Sequence, residues 1–79
     1  MNYIDGQKIM IGDRVSLGGG MDGVVVCSFD DNQFSSDFPE SDWGGFLNTG
    51  VLVNSRQAGS IHYPVPDIDL VLIERNKII

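Results

Sequence analysis

Glycine and proline divide this sequence into short apolar runs, and this limits the folds that the chain can adopt. The 79 residues include ten glycines and three prolines. Because both residues favour turns, a chain punctuated in this way builds short elements joined by tight connections. The pattern therefore favours a small β-barrel or sandwich over a bundle of helices.

The length and composition predict one folded domain over residues 1–79. A chain of this size has room for one thin core, since a domain of about 60 residues buries only roughly 60% of its unfolded surface. Hydrophobic residues make up 42% of the chain and charged residues 20%. This is an ordinary globular mixture, which argues against intrinsic disorder.

The strongest strand signal lies in residues 24–29. Its β-branched side chains suit a pleated and largely buried position. Strict alternation predicts that Val25, Cys27 and Phe29 share one face. We therefore expect a central strand here, with Val25 and Cys27 buried.

Weaker strand signals surround this central strand. Asp5-Gly6 lies between two apolar stretches and predicts an N-terminal hairpin with a type I′ turn. The other predicted strands are residues 14–17, 51–54, 60–63 and 70–73. Together the five main strands predict a mainly β fold, a small five-stranded SH3-like barrel. An OB-type barrel is the alternative, although it usually needs a longer chain.

Residues 30–50, called here the acidic segment, interrupt the strand pattern and contain no lysine or arginine. A connection of this length in a small domain is usually functional when it is ordered. Pro39 suits the start of a short helical turn, which Gly44-Gly45 would end. The carboxylates of the segment are Asp30, Asp31, Asp37, Glu40 and Asp42, and its aromatic residues are Phe34, Phe38, Trp43 and Phe46.

A family resemblance extends over nearly the whole chain. It rests on Asp5-Gly6, Gly12-Asp13-Arg14-Val15, Gly23-Val24-Val25-Val26-Cys27-Ser28, Trp43 after Pro39, Gly50-Val51-Leu52-Val53, Ile61-His62-Tyr63 and Asp69-Leu70-Val71-Leu72-Ile73-Glu74-Arg75. In these stretches the chain resembles small acidic bacterial SH3-like proteins of poorly defined function, which we associate with immunity-type proteins. The resemblance implies a compact SH3-like domain without catalytic apparatus, and it assigns no functional residues.

The charge narrows the choice of partners. The net charge is −6, from eleven acidic and five basic side chains. Direct binding to nucleic acid or to an anionic membrane is therefore not expected, because both need clustered lysine and arginine. A basic protein partner would associate faster in this field. The alternative is that the charge only keeps the protein soluble.

The sequence predicts neither an enzyme nor a cofactor or metal site. Cys27 is the only cysteine and His62 the only histidine. A cysteine inside a buried strand is usually inert, and two candidate ligands are too few for a typical zinc site. We expect His62 on the less buried face of its strand, in a surface or hydrogen-bonded role. A lone cysteine, no signal-like N-terminus and no membrane-spanning run predict a cytoplasmic protein.

We therefore expect a non-catalytic inhibitor that binds a basic protein through the acidic segment, as an immunity-type protein neutralises a bacterial toxin. Aromatic anchors within an acidic rim suit such an interface. The aromatic residues alternatively close one end of the barrel. The predicted partner-binding residues are Asp30, Asp31, Phe34, Asp37, Phe38, Glu40, Asp42, His62 and Tyr63.

Two other functions remain open from the sequence alone. One is a phage-encoded inhibitor of a bacterial defence system that imitates the charge of nucleic acid. The other is an accessory or structural domain that binds a peptide or self-associates through an exposed strand edge. The oligomeric state is not predicted.

Overall fold

A computed structural model describes residues 1–44 and 48–75 of the chain. It is mainly β, with 43% of residues in strands and 6% in helix, which confirms the predicted class. In chain order the elements are β1 (Arg14–Gly18), β2 (Met21–Ser28), β3 (Gln33–Phe34), α1 (Glu40–Trp43), β4 (Val51–Ser55), β5 (Gly59–Tyr63) and β6 (Val71–Glu74). Within the described residues, no helix has the length and apolar character needed to cross a membrane.

The strands form an antiparallel six-stranded sheet in the order β5-β4-β2-β1-β6, with β3 paired to β2. The sheet is not closed, so the five-stranded SH3-like barrel is not confirmed. β5 and β6 follow each other in the chain but form the two opposite edges of the sheet. Pro64 and Pro66 cannot donate hydrogen bonds to a neighbouring strand, and residues 64–69 are exposed. The prolines therefore end β5 at Tyr63, and after this exposed connection β6 pairs with β1 at the opposite edge of the sheet.

β2 is the central strand, as the sequence predicts, but it contains a β-bulge. Val25 pairs with Val53 and Cys27 pairs with Leu52, so Val26 has no opposite residue in β4. One extra residue reverses the alternation of side chains beyond it. Val25 and Cys27 are both fully buried as expected. However, the prediction that Val25, Cys27 and Phe29 share one face is wrong, because the bulge separates Val25 from the other two.

The bulge gives the sheet an apolar cluster on each face. The first cluster contains Tyr3, Ile9, Val15, Leu17, Val25, Val51, Val53 and Leu70. The second contains Val26, Cys27, Phe29 and Leu52, with Phe34, Phe38 and Trp43 packed against it. β4 serves both clusters, since alternate residues of a strand point to opposite faces.

The N-terminal arm, residues 1–9, covers the first cluster with Tyr3 and Ile9. Its hairpin is reduced to one isolated bridge between Asn2 and Lys8. The type I′ prediction is wrong, because that turn needs a positive φ at both central residues. Gly6 has a φ of 95°, but Asp5 does not have a positive φ.

Asp13 joins the arm to the end of the described chain. Its carboxylate is fully buried and accepts hydrogen bonds from the Tyr3 hydroxyl at 2.7 Å and the Met10 backbone N–H at 3.0 Å. The Arg75 guanidinium donates two more, at 3.1 and 3.2 Å. A buried charge is tolerated when it is paired and fully hydrogen-bonded in this way.

Candidate protein-binding surface

The aromatic side chains fasten the acidic segment to the sheet. Phe34 packs edge-on against Phe29, with ring centroids 5.8 Å apart. Phe38 lies 5.9 Å from Trp43, also between ring centroids. The thiol of Cys27 donates a hydrogen bond to the Phe38 carbonyl at 3.5 Å. Phe34, Phe38 and Trp43 are consequently half-buried against the second cluster, while Phe46 lies outside the described residues.

The predicted helical turn is present as α1. Pro39 caps its N-terminus in an extended conformation, with a φ of −72°. The Pro39 carbonyl accepts hydrogen bonds from the N–H groups of Asp42 and Trp43, and Gly44 closes the turn by donating to the Glu40 carbonyl. Gly45, which was also expected to end the turn, is outside the described residues.

Two of the five predicted carboxylates serve the fold. The Asp30 carboxylate lies 3.4 Å from the amino group of Met1, and that of Asp31 lies 3.2 Å from the ammonium group of Lys8. The Ser28 hydroxyl also donates to Asp31 at 2.9 Å. This hydrogen bond, together with the nearby Lys8, lowers the pKa of Asp31 below its usual value. Both carboxylates thus hold the N-terminal arm against the start of the acidic segment.

The other three carboxylates, Asp37, Glu40 and Asp42, are exposed around α1. We call them the acidic turn. Within residues 1–44 and 48–75, none of the three takes part in a side-chain hydrogen bond or an ion pair. They are therefore available to a partner, in contrast to Asp30 and Asp31.

His62 and Tyr63 lie on opposite faces of β5, and of the two only His62 packs on the second cluster, on which the acidic turn is mounted. The His62 ring packs edge-on against Phe29 at 5.7 Å, and its Nε2 donates to the Thr49 carbonyl at 2.8 Å. Tyr63 packs against the first cluster. Burial raises the pKa of Tyr63, and the negative charges of Asp67 and Asp69 raise it further.

Cys27 and His62 do not form a hydrogen-bonded pair, although they lie in one row across the sheet. Cys27 is opposite Leu52, and Leu52 is opposite His62. Two strand spacings place their backbones roughly 10 Å apart. Burial raises the pKa of the Cys27 thiol, which disfavours the reactive thiolate. In the part of the chain that the structure describes, no three side chains of histidine, cysteine, aspartate or glutamate are grouped to hold a metal ion.

Comparisons of this chain with family models, curated proteins and solved structures found no match. The resemblance to small SH3-like bacterial proteins therefore stays a prediction. The surface has to be interpreted from its own geometry and charge.

Sequence reasoning missed the basic groups that pair with the acidic segment. Lys8 and the Met1 amino group lie more than twenty positions before their partners Asp31 and Asp30. Local charge counting finds only acids between positions 30 and 50, because the compensating charges come from the N-terminal arm. A predicted contact between the N-terminal arm and the residues just after β2 would have distinguished the paired carboxylates, Asp30 and Asp31, from the acidic turn.

Proposed function

We propose that this chain is a non-catalytic protein-binding domain that inhibits a basic partner, in the manner of an immunity-type protein that neutralises a bacterial toxin. The observation that carries the proposal is the acidic turn. Its three exposed carboxylates, Asp37, Glu40 and Asp42, have no partner among the described residues. They are carried by a segment that Phe34, Phe38 and Trp43 fasten to the sheet.

This arrangement supports binding in two ways. The carboxylates add to a net charge of −6, which steers a basic partner towards the protein and speeds association. The aromatic contacts fix the turn before the partner arrives, so that binding loses less conformational entropy. Phe38 is only half-buried and is placed to add apolar contact beside the charges.

Imitation of nucleic acid has less support. A duplex carries one negative charge for about every 1.7 Å of its axis, so a convincing imitation needs a long row of free carboxylates. Here Asp30 and Asp31 are paired with the N-terminal arm. Three free carboxylates on one short turn suit a compact basic site better than an extended groove.

We also propose that the architecture is SH3-like. The support is its strand path, in which β1, β2, β4 and β5 pair in succession and β6 returns to pair with β1. The bulge at Val26 bends the shared strand β2, and such bends are one way in which small sheets curve towards closure.

The experiment that tests the function begins with affinity capture from the native host, followed by measurement of association rates with the captured protein. We would compare the wild type with the triple variant Asp37→Lys, Glu40→Lys and Asp42→Lys at low and high salt. Asp31 is avoided because its replacement would also break the contact with Lys8. We expect the triple variant to associate at least tenfold more slowly at low salt, with a smaller effect at high salt.

The matched control compares Glu40→Lys with Glu74→Lys, which make the same change in net charge at two exposed glutamates, one in the acidic turn and one at the end of β6. If both single variants slow association equally, only net charge matters and the acidic turn is not the interface. Equal melting temperatures would establish that both variants remain folded. A captured protein that binds both variants as tightly as the wild type would contradict the proposal.

A further inference from the structure

The free edge of β6 borders an apolar cleft of about 240 Å³. One wall consists of Leu70 with Val71 and Leu72 of β6, and the other consists of residues 3–5 of the N-terminal arm. Leu70 is buried and Leu72 packs against the first cluster, whereas Val71 is exposed. Since successive strand residues point to opposite faces, a cleft that touches all three runs along the edge of the strand.

Large apolar side chains are exposed around this cleft. Ile68 is 77% exposed, Ile4 59% and Val71 53%. All three line the same cleft. Single exposed apolar residues are ordinary, but a group of them around one concavity is typical of a contact surface. The volume is below the roughly 300–1,000 Å³ of pockets that enclose a drug-sized ligand, so it suits side chains of a larger partner.

The backbone of β6 is available for pairing on this side. β6 pairs with β1 along one edge, and no other described strand pairs with it. An unpaired strand edge is a template for a further strand. Recognition of extended peptides commonly combines such backbone pairing with pockets for alternate side chains.

The charges around the cleft indicate what kind of strand it accepts. Asp5 lines the cleft, and among the residues that the structure describes no lysine or arginine does. Asp67 and Asp69 flank Ile68, which has the largest exposed fraction among the large apolar residues that the structure describes. A second copy of this chain would bring the same carboxylates and a net charge of −6, so charge disfavours self-association here.

We propose that the free edge of β6 binds an extended segment of another protein, which alternates apolar side chains with lysine or arginine. The apolar side chains enter the cleft, the backbone pairs with β6, and the basic side chains face Asp5, Asp67 and Asp69. This site is independent of the acidic turn. It lies beside the first cluster, whereas the acidic turn is mounted on the second.

The test uses random peptides of about twelve residues displayed on phage and selected on the full chain, a length sufficient to add one strand. Enriched peptides would then be titrated into the isotope-labelled protein and followed by NMR. We expect selected sequences that alternate apolar and basic residues, and amide shifts confined to β6 and residues 3–5 and 67–70. A proline placed in the middle of the peptide should abolish binding, since it cannot donate to a strand.

Variants separate this site from the acidic turn. We expect Val71→Lys and Ile68→Lys each to weaken peptide binding by about tenfold or more, because each places a charge in an apolar contact. At high salt, where the change in net charge is screened, the Asp37→Lys, Glu40→Lys and Asp42→Lys variant should bind the peptides within about twofold of the wild type. Selected peptides whose shifts map to α1, or a selection that enriches no peptide, would overturn the proposal. A dimer in sedimentation that Val71→Lys dissociates would also overturn it, because the occupant would then be a second copy.

Discussion

Arg75 holds the carboxylate of Asp13 with two hydrogen bonds, although the two residues are 62 positions apart in the chain. The guanidinium also donates to the Lys8 carbonyl at 2.8 Å. One side chain after β6 therefore stabilises both the entry to β1 and the N-terminal arm. Because Asp13 is fully buried, the loss of Arg75 would leave a buried negative charge without its counter-charge.

We expect Arg75→Gln to lower the free energy of unfolding by about 2–4 kcal/mol, since removing one partner of a buried pair exposes the full desolvation cost of the other. Arg14→Gln is the matched control. Arg14 pairs with Asp22 at 3.2 Å and with Glu74 at 3.7 Å, but at the surface, where an ion pair contributes less than about 1 kcal/mol. Urea denaturation of both variants measures the difference. Similar small losses would show that Asp13 is adequately stabilised without Arg75.

The two tyrosines predict a loss of stability at alkaline pH. Burial raises the pKa of Tyr3, and the neighbouring Asp13 raises it further. Burial also raises the pKa of Tyr63. A tyrosine whose pKa is raised in the folded state stabilises the fold fully at pH values below its unfolded-state pKa of about 10. This stabilisation is lost as the pH rises through the folded-state pKa. We expect tyrosinate absorbance to appear together with unfolding.

The check is a spectrophotometric titration followed in parallel by near-ultraviolet circular dichroism. Tyr3→Phe should lose about 1.5–3 kcal/mol at neutral pH through the missing hydrogen bond to a charged group. Its stability should then fall less steeply above about pH 10 than that of the wild type. A tyrosine that ionises near pH 10 while the native dichroism persists would contradict this account.

Much of the fold could be predicted from the sequence, but the faces of β2 could not. Periodicity located the strands because burial on one side of a sheet leaves a two-residue repeat. The bulge at Val26 has no such signature, since valine also occupies positions 24 and 25. The position of the bulge depends on pairing with β4, which lies more than twenty residues later.

The candidate site was predictable in part. Composition located the acidic segment, and Pro39 located its helical turn. The buried role of Asp13 was not predictable, because its partners Tyr3 and Arg75 are distant in sequence. By contrast, strand alternation alone was sufficient to show that the neighbours His62 and Tyr63 point to opposite faces of β5.

Gly50 and Gly59 offer a matched pair of backbone substitutions. Both have a positive φ, of 79° and 75°. A Cβ on Gly59 would meet nothing within 4 Å, whereas one on Gly50 would lie 2.7 Å from the Cα of Pro64 and would contact the carbonyl oxygen of Tyr63. We expect Gly59→Ala to cost about 1–2 kcal/mol through backbone strain alone.

Gly50→Ala should cost about 3 kcal/mol or more, because backbone atoms at the end of β5 cannot move aside as a side chain can. The difference between the free energies of unfolding of the two variants, measured under identical conditions, gives the cost of the contact between this Cβ and the backbone of Tyr63 and Pro64. Equal costs would mean that the connection after β5 shifts freely to accommodate a Cβ.

Cys27 should behave as a buried structural thiol. Burial raises its pKa, so we expect its reaction with a disulfide reagent to be at least about a hundredfold slower in the native protein than in denaturant. Cys27→Ala and His62→Ala should leave the proposed inhibition nearly intact wherever they remain folded. Complete loss of inhibition in a folded variant that still binds the partner would argue for catalysis.

The two clusters have a consequence for how the protein can change over evolutionary time. The acidic segment packs its aromatic residues on the second cluster, and none of its described residues enters the first. A lineage that exchanged Asp37, Glu40 and Asp42 for other surface residues would keep every contact of the first cluster and the anchoring aromatic residues of the second. The proposed recognition surface can therefore diversify on this scaffold while the packing that specifies the fold stays constant.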